Sequence, residues 1–224
     1  MMSGVEDISL SPRLKAVADM IPDCVKVVDV GSDHGLLGSY CLSLGLCRYV
    51  IATDIHEGPA MRTLEQLKEY KDRCEVKVTD GLKGVELNED MTVVIAGMGG
   101  LEISKILKNA LSSEKSVPKG MKFILQPQKS HYELRAFLSA NGFAILKERI
   151  VIEKDRFFYT VILVEYTGDA YELSDDEKYL GPVILKDRSE NYKEYIAHEK
   201  EVFEKRALGD PKCAQILKNW EKYL

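Results

Sequence analysis

Between residue 11 and about residue 145 the chain alternates short β-rich runs with amphipathic helical stretches. Strands separated by helices pair in parallel through crossovers, so this alternation argues for a parallel sheet with helices on both faces. Ser11-Pro12 opens the first helix, with serine as N-cap and proline at the first helical position, and Leu14, Val17, Ala18 and Ile21 follow at helical spacing. Strands are predicted over 25–30, 49–53, 75–79, 92–96 and 122–126, with helices over 35–44, 59–70, 101–111 and 130–140. The pattern then changes. Phe143–Glu153 and Phe157–Tyr166 are two long β-rich runs separated by Lys154-Asp155-Arg156, which reads as an antiparallel hairpin.

A boundary falls at Thr167-Gly168-Asp169, dividing the chain into a sheet domain over 1–166 and a helical domain over 167–224. Ser174-Asp175-Asp176-Glu177 fits a capping box. After Gly181-Pro182 one long helix is predicted to run to about Leu208, with an apolar stripe of Leu185, Tyr192, Tyr195, Ile196, Val202 and Phe203. Gly209-Asp210-Pro211 reads as a turn, and a last helix carries Ile216, Leu217 and Trp220. Two helices joined by a tight turn predict an antiparallel helical hairpin or short coiled coil.

Composition narrows the class. At 224 residues there is room for one α/β domain and an appendage. No apolar run reaches the ~18–20 residues of a membrane span, and the start, Met1-Met2-Ser3-Gly4, lacks a signal-peptide pattern, so the expected location is the cytoplasm. Five cysteines, an odd number without Cys-x-x-Cys spacing, argue against a disulfide framework or a zinc site, and no metal or obligate protein partner is expected. A net charge of -5 means that any nucleic-acid partner must be met by a local basic patch. The tail offers no such excess: residues 166–224 hold ten Lys/Arg against thirteen Asp/Glu.

The candidate site lies where the predicted strands end, because ligands of open α/β sheets bind beyond the carboxyl ends of the strands. Asp29-Val30-Gly31-Ser32-Asp33-His34-Gly35 combines glycines that admit close backbone approach with two carboxylates. It lacks the Gly-x-Gly-x-x-Gly turn of a pyrophosphate site, and its acidity suits a ligand bearing a sulfonium and an ammonium, as S-adenosylmethionine does. Asp54, 23 positions after Gly31, is placed to accept ribose hydroxyls, with Ile55 beside it. Asp80-Gly81 is placed to receive an adenine amino group. Ala96-Gly97-Met98-Gly99-Gly100 exposes backbone where a flat base must approach the donor, and the amides of Gln126-Pro127-Gln128 can read a base edge. Asp29 and Asp33 are candidates for stabilising charge during transfer. His34 is a candidate for holding the base, and Arg13 on the first helix a candidate for substrate contact.

These residues resemble a known family, the bacterial TrmK-type methyltransferases, which modify N1 of adenine 22 in tRNA. The shared signature is Leu10-Ser11-Pro12-Arg13-Leu14, Asp29-Val30-Gly31-Ser32-Asp33-His34, Asp80-Gly81-Leu82, Ile95-Ala96-Gly97-Met98-Gly99-Gly100 and Leu125-Gln126-Pro127, continuing through Glu148…Glu153 and Leu180-Gly181-Pro182. Where the family often has Ala-Tyr-Leu-Pro after the histidine, this chain has Gly35-Leu36-Leu37-Gly38, and Gln128 stands where the family commonly has asparagine. The resemblance implies a class I, Rossmann-like S-adenosylmethionine-dependent methyltransferase fold, tRNA as substrate and a C-terminal coiled-coil domain. Three competing readings remain at this stage: a methyltransferase of small molecules, an NAD-dependent enzyme, which the acidic first loop disfavours, and a non-catalytic RNA-binding module.

Overall fold

The computed structural model describes residues 8–113, 117–154, 156–207 and 211–224. Helix α1 spans Pro12–Asp19, and the Ser11 hydroxyl accepts the Leu14 N–H at 3.3 Å, as an N-cap should. Then follow β1 (Lys26–Val30), α2 (Leu36–Ser43), β2 (Tyr49–Asp54), α3 (Glu57–Gln66), a 3-10 helix (Lys68–Arg73), β3 (Cys74–Val78), β4 (Met91–Met98), α4 (Gly100–Leu111), β5 (Lys122–Pro127) and α5 (His131–Ala140). The hairpin is β6 (Phe143–Glu153) and β7 (Phe157–Tyr166), with the predicted bounds; Asp155 of its turn lies outside the described residues. The helix predicted over 59–70 is two pieces, since the chain kinks after Gln66 into the 3-10 turn.

The strands form one seven-stranded sheet in the order β3-β2-β1-β4-β5-β7-β6. All pairings are parallel except those of β7, which runs antiparallel to both β5 and β6. The pleat divides the core. Val28 and Val30 face a cluster built with Ile103, Leu107, Leu134 and Leu138 of α4 and α5. Val27, one residue away, faces a second cluster with Val17, Leu37 and Cys41 of α1 and α2. Val151 and Val161 belong to that second cluster, so α1 rests on the hairpin as well as on the parallel sheet. The strand order reverses between β1 and β4, which opens a crevice above their carboxyl ends.

Beyond β7 come α6 (Asp175–Leu180), α7 (Pro182–Asp187), α8 (Tyr192–Ala207), α9 (Pro211–Asn219) and a terminal 3-10 turn (Trp220–Tyr223). The capping box is formed in full: the Ser174 hydroxyl accepts the Glu177 N–H, and the Glu177 carboxylate accepts the Ser174 N–H. The single long helix expected after Pro182 is instead broken, because Arg188 and Asn191 both adopt left-handed conformations (φ 46° and 65°) between α7 and α8. Gly209 and Asp210 of the expected Gly209-Asp210-Pro211 turn lie outside the described residues.

The tail helices share a third apolar cluster, with Leu180, Ile184, Tyr195, Ile196, Phe203 and Trp220 around Ile150 of β6. Helices α8 and α9 pack on each other, and an aromatic cluster joins them to α6: Phe203 lies 4.8 Å from Trp220 and 4.6 Å from Tyr179, centroid to centroid. A buried ion pair joins this unit to the sheet. Arg135 of α5 donates from Nε to Glu148 Oε1 of β6 at 2.8 Å, and from Nη1 to the carbonyls of Lys178 and Tyr179 on α6. Glu148 Oε2 accepts the Val183 and Ile184 N–H groups that open α7. All five cysteines are free thiols.

Candidate functional site

The turn after β1 is held by backbone. Gly31 and Ser32 both donate N–H groups to the Thr53 carbonyl at 2.8 and 3.1 Å, and the Gly35 N–H closes on the Ser32 carbonyl at 2.9 Å. Gly31 has φ +71°, a conformation that favours glycine, and its bare Cα lets the end of the Met98 side chain from the β4 end lie against the turn. Gly35 begins α2 with φ +66° against Thr63 of α3. The neighbouring strand ends are tied in turn: Thr53 Oγ1 donates to the Gly81 carbonyl at 2.9 Å, and the Thr79 N–H to the Asp54 carbonyl at 2.7 Å. The three segments singled out in the sequence therefore form one crosslinked rim.

Their carboxylates are not equivalent. Asp29 is buried at the end of β1, and no hydrogen-bond donor among the described residues reaches its carboxylate. Burial, and then repulsion from Asp54, push its pKa up to about 7. One oxygen of Asp54 accepts the His56 N–H at 3.1 Å, and the other is free of donors among the described residues. Ile55 stands beside it, 59% exposed, and Asp80 is exposed at the next strand end.

Asp33 faces elsewhere. Its carboxylate meets Arg62 of α3 at 2.7 Å and His34 at 3.5 Å, with all three side chains about half exposed or more. Ser32 Oγ lies 3.0 Å from Thr63 Oγ1, so that hydroxyl too is turned to α3. His34 and Arg62 line a cavity of about 420 Å³ with Ser39 and Gln66, beside the crevice and on the α3 side. Asp33 and His34, expected to assist the transfer, are held on the α3 side of the rim in this arrangement.

The opposite wall is built around Gln126. Its side chain is fully buried, and Oε1 accepts from Arg13 Nη1 (2.7 Å), the Gly97 N–H (3.1 Å) and Gln128 Nε2 (3.2 Å). Its Nε2 donates to the Pro127 carbonyl at 2.9 Å. Gln126 was expected to read a base edge; instead its capacity is engaged within the protein, and it locks three elements together. Gln128 is exposed, with its N–H on the Met98 carbonyl. Pairing of β4 with β5 slips between Ala96 and Met98, which leaves Gly97 exposed as a bulge with φ +77°. Gly99 precedes α4 beside Lys129. Gly100, expected to meet substrate, is buried: a Cβ would strike the Ser130 carbonyl, so this glycine serves close packing onto the β5–α5 turn.

Two residues given no role in the sequence complete this wall. The Arg13 backbone N–H donates to Glu153 Oε1 at 2.9 Å, and the Arg13 guanidinium lies over the Tyr159 ring at 5.4 Å. Glu153 and Tyr159 stand on facing strands of the hairpin, and only the docking of α1 on that hairpin reveals them. A larger cavity of about 690 Å³ touches Asp80 but runs between residues 82–87 and α4. Among the described residues no cluster of His, Cys, Asp or Glu could hold a metal ion, and no helix is long and apolar enough to cross a membrane.

The sheet order, its reversed β7 and an acidic glycine rim in place of a pyrophosphate turn define a class I methyltransferase. The chain belongs to the methyltransferase-domain family, whose pattern matches residues 10–162. It is 27% identical over 214 residues to the tRNA (adenine(22)-N(1))-methyltransferase of Bacillus subtilis (strain 168), covering 89% of this chain and 87% of that one. The crystal structure of the B. subtilis m1A22 tRNA methyltransferase TrmK aligns with TM-score 0.75 and 26% identity, over 96% of each chain. A Streptococcus pneumoniae protein solved in complex with S-adenosyl-L-methionine aligns with TM-score 0.84 and 28% identity, over 96% of this chain and all of that one.

Proposed function

We propose that this chain methylates N1 of adenine 22 in tRNA, with S-adenosylmethionine as donor. The observation that carries the reading is the rim itself: a buried carboxylate without a donor among the described residues, a second carboxylate with one oxygen open to ligand, and a glycine turn with φ +71° against Met98. Such a donor set fits a ligand that is cationic at one end and carries ribose hydroxyls at the other. The full-length likeness to the B. subtilis tRNA (adenine(22)-N(1))-methyltransferase supports the substrate.

In this reading Asp54 accepts the ribose hydroxyls and Ile55 covers the adenine of the cofactor, with Asp80 and Gly81 at its edge. Asp29 supplies negative charge near the sulfonium and ammonium, alongside the backbone of Gly31, Ser32, Asp33 and Gly35. Ala96, Gly97 and Met98 form the floor, and Gly97 and Gly99 leave a flat path for the target base. When bound, the cofactor supplies a methyl carbon that the adenine N1 lone pair takes as the carbon–sulfur bond breaks onto sulfur. N1 is neutral and its lone pair is available, so no side chain need remove a proton. The protein's work is to orient the two partners, an effect on the order of 7–11 kcal/mol in well-aligned systems. N1 is hidden in a duplex, so the base must reach the mouth unpaired or flipped. We place this activity in the cytoplasm, and assign catalysis to residues 1–166 and a supporting role to the helical unit 167–224.

The test is incubation with labelled S-adenosylmethionine and unmodified tRNA, followed by nucleoside mass spectrometry. 1-Methyladenosine at position 22 is expected. Tight cofactor binding without transfer to any tRNA would redirect the assignment to a small-molecule acceptor. Asp54→Ala should weaken cofactor binding about 10- to 100-fold by calorimetry, as loss of charged hydrogen bonds does; unchanged affinity would remove Asp54 from the ribose site.

A further inference from the structure

We infer that Arg13 is a preorganised clamp for a phosphodiester of the RNA strand beside the target base, with Gln126 as its positioning residue. The inference rests on the RNA-methylating reading above and adds to it the contact that holds the strand.

Arg13 is half-buried at the start of α1, yet it makes no ion pair with any described residue. Other basic side chains differ: Lys15 and Arg149 both pair with Asp19, and Arg62 pairs with Asp33. Three contacts fix the Arg13 side chain and backbone: Nη1 on Gln126 Oε1, the guanidinium over Tyr159, and the backbone N–H on Glu153. Glu153 is acidic, but its Oε1 is engaged at the helix start rather than with the guanidinium. Arg13 Nε is buried and has no hydrogen-bond partner among the described residues. Arg135 also has one buried N–H group without a partner, but its charge is met by Glu148, whereas the ordered, partly exposed Arg13 guanidinium has no carboxylate among the described residues and can take an anionic acceptor.

Its location selects the acceptor. A Cβ on the exposed Gly97 bulge would lie 3.5 Å from Arg13 Nη1, and one on Gly99 would lie 3.3 Å from Lys129 Cε. Two cations thus flank the bared backbone of residues 97–99, and Lys129, like Arg13, makes no ion pair with any described residue. The base edge is an unsuitable partner for Arg13. A guanidinium only donates, whereas the reacting edge of adenine presents an amino donor beside N1, and a donor on N1 would occupy the lone pair that must attack. Phosphate oxygens accept from arginine in a fork, and nucleic-acid strands are positioned chiefly through such contacts.

The test is equilibrium binding of unmodified tRNA across roughly 50 to 200 mM salt, where each phosphate contact adds about one to the slope of log affinity against log salt. Arg13→Gln should reduce the slope by about 1 and Lys129→Gln by a similar amount, with the affinity for S-adenosylmethionine within twofold of wild type. Arg13→Lys should keep the slope while weakening binding severalfold, because the charge remains and the fork is lost. Gln126→Met should also keep the slope but lower kcat, since the cation is present and misplaced. An unchanged slope in a folded Arg13→Gln protein would overturn the clamp. So would a large loss of cofactor affinity, which would assign Arg13 to the cofactor's carboxylate. If Arg13→Gln does not fold, Arg13→Lys with wild-type affinity and rate would overturn it equally. A wild-type protein that binds tRNA with the expected slope but methylates nothing would refute the proposed function and leave the clamp standing.

Discussion

Asp29 and Glu148 are both carboxylates removed from water, and they live opposite lives. Glu148 has Arg135 on one oxygen and two α7 N–H groups on the other. Asp29 has no donor among the described residues and a second carboxylate, Asp54, near enough to raise its pKa further. The first region binds sheet and tail helices into one body. The second leaves buried charge unanswered where the strands end and the chain crosses from sheet to loop. A buried charge is costly unless it is paired, which is why we propose the unanswered one as the place for a ligand of opposite charge.

The largest effect expected from this contrast is on stability at the paired site. Glu148→Ala leaves the Arg135 guanidinium buried without its carboxylate and frees two helix-start N–H groups, and should cost about 3–5 kcal/mol in urea unfolding. Gly181→Ala should destabilise for a related reason: φ is +100°, and the new Cβ would lie 2.5 Å from Glu148 Oε2 and 2.9 Å from Arg135 Nη2. Both variants should keep near wild-type cofactor affinity in the folded fraction at low temperature. A Glu148→Ala protein less than about 1 kcal/mol weaker than wild type would show that the pair adds little, as an ion pair offset by its own desolvation can.

The same contrast governs what could be read in the residues alone. The Ser174…Glu177 box and the β6 and β7 bounds were legible because caps and strand alternation are local. The rim was legible because strand ends gather ligand residues whatever the details of packing. The burial and pairing of Arg135 with Glu148 were not, since a charge on an amphipathic helix, or on one face of a hairpin strand, reads as solvent-facing until α6 and α7 are seen to close over it. Gln126 was misread for the same reason: an amide before Pro127 suggests an exposed turn, and only the arrival of Arg13, 113 positions away, shows it buried. The break between α7 and α8 has no glycine or proline to announce it, because Arg188 and Asn191 take the left-handed conformation themselves.

A smaller effect, on binding rather than folding, should appear at the unpaired site. Asp29 has a pKa raised from 3.8 to about 7. Unfolding returns it to its ordinary value, so the ligand-free protein gains stability from this proton below the unfolded pKa and loses it as pH rises through about 7. A cationic cofactor favours the ionised form, so its binding should expel a proton below pH 7 and its affinity should fall by up to about tenfold per pH unit there. Calorimetry in buffers of different ionisation enthalpy measures that proton directly. Asp29→Asn should bind more weakly at pH 8 and lose the pH dependence. Persistence of the full dependence in Asp29→Asn would place the titrating group elsewhere and erase the contrast with Glu148.

The smallest expected effect concerns Asp33, which belongs to neither class. Its carboxylate is 60% exposed and pairs with Arg62, itself 48% exposed, so water screens the pair and little stability is at stake. Asp33→Asn and Arg62→Gln should therefore leave thermal unfolding nearly unchanged and alter the methyl-transfer rate by less than about tenfold. The sharper outcome would be a divergence between the two. Loss of one group that stabilises charge in the transition state typically costs on the order of 100- to 1,000-fold in rate. If Asp33→Asn falls that far while Arg62→Gln does not, the carboxylate must leave Arg62 when substrate and cofactor are bound and turn toward the reacting atoms. A pair that merely shapes the surface of α3 would move both variants together, and slightly.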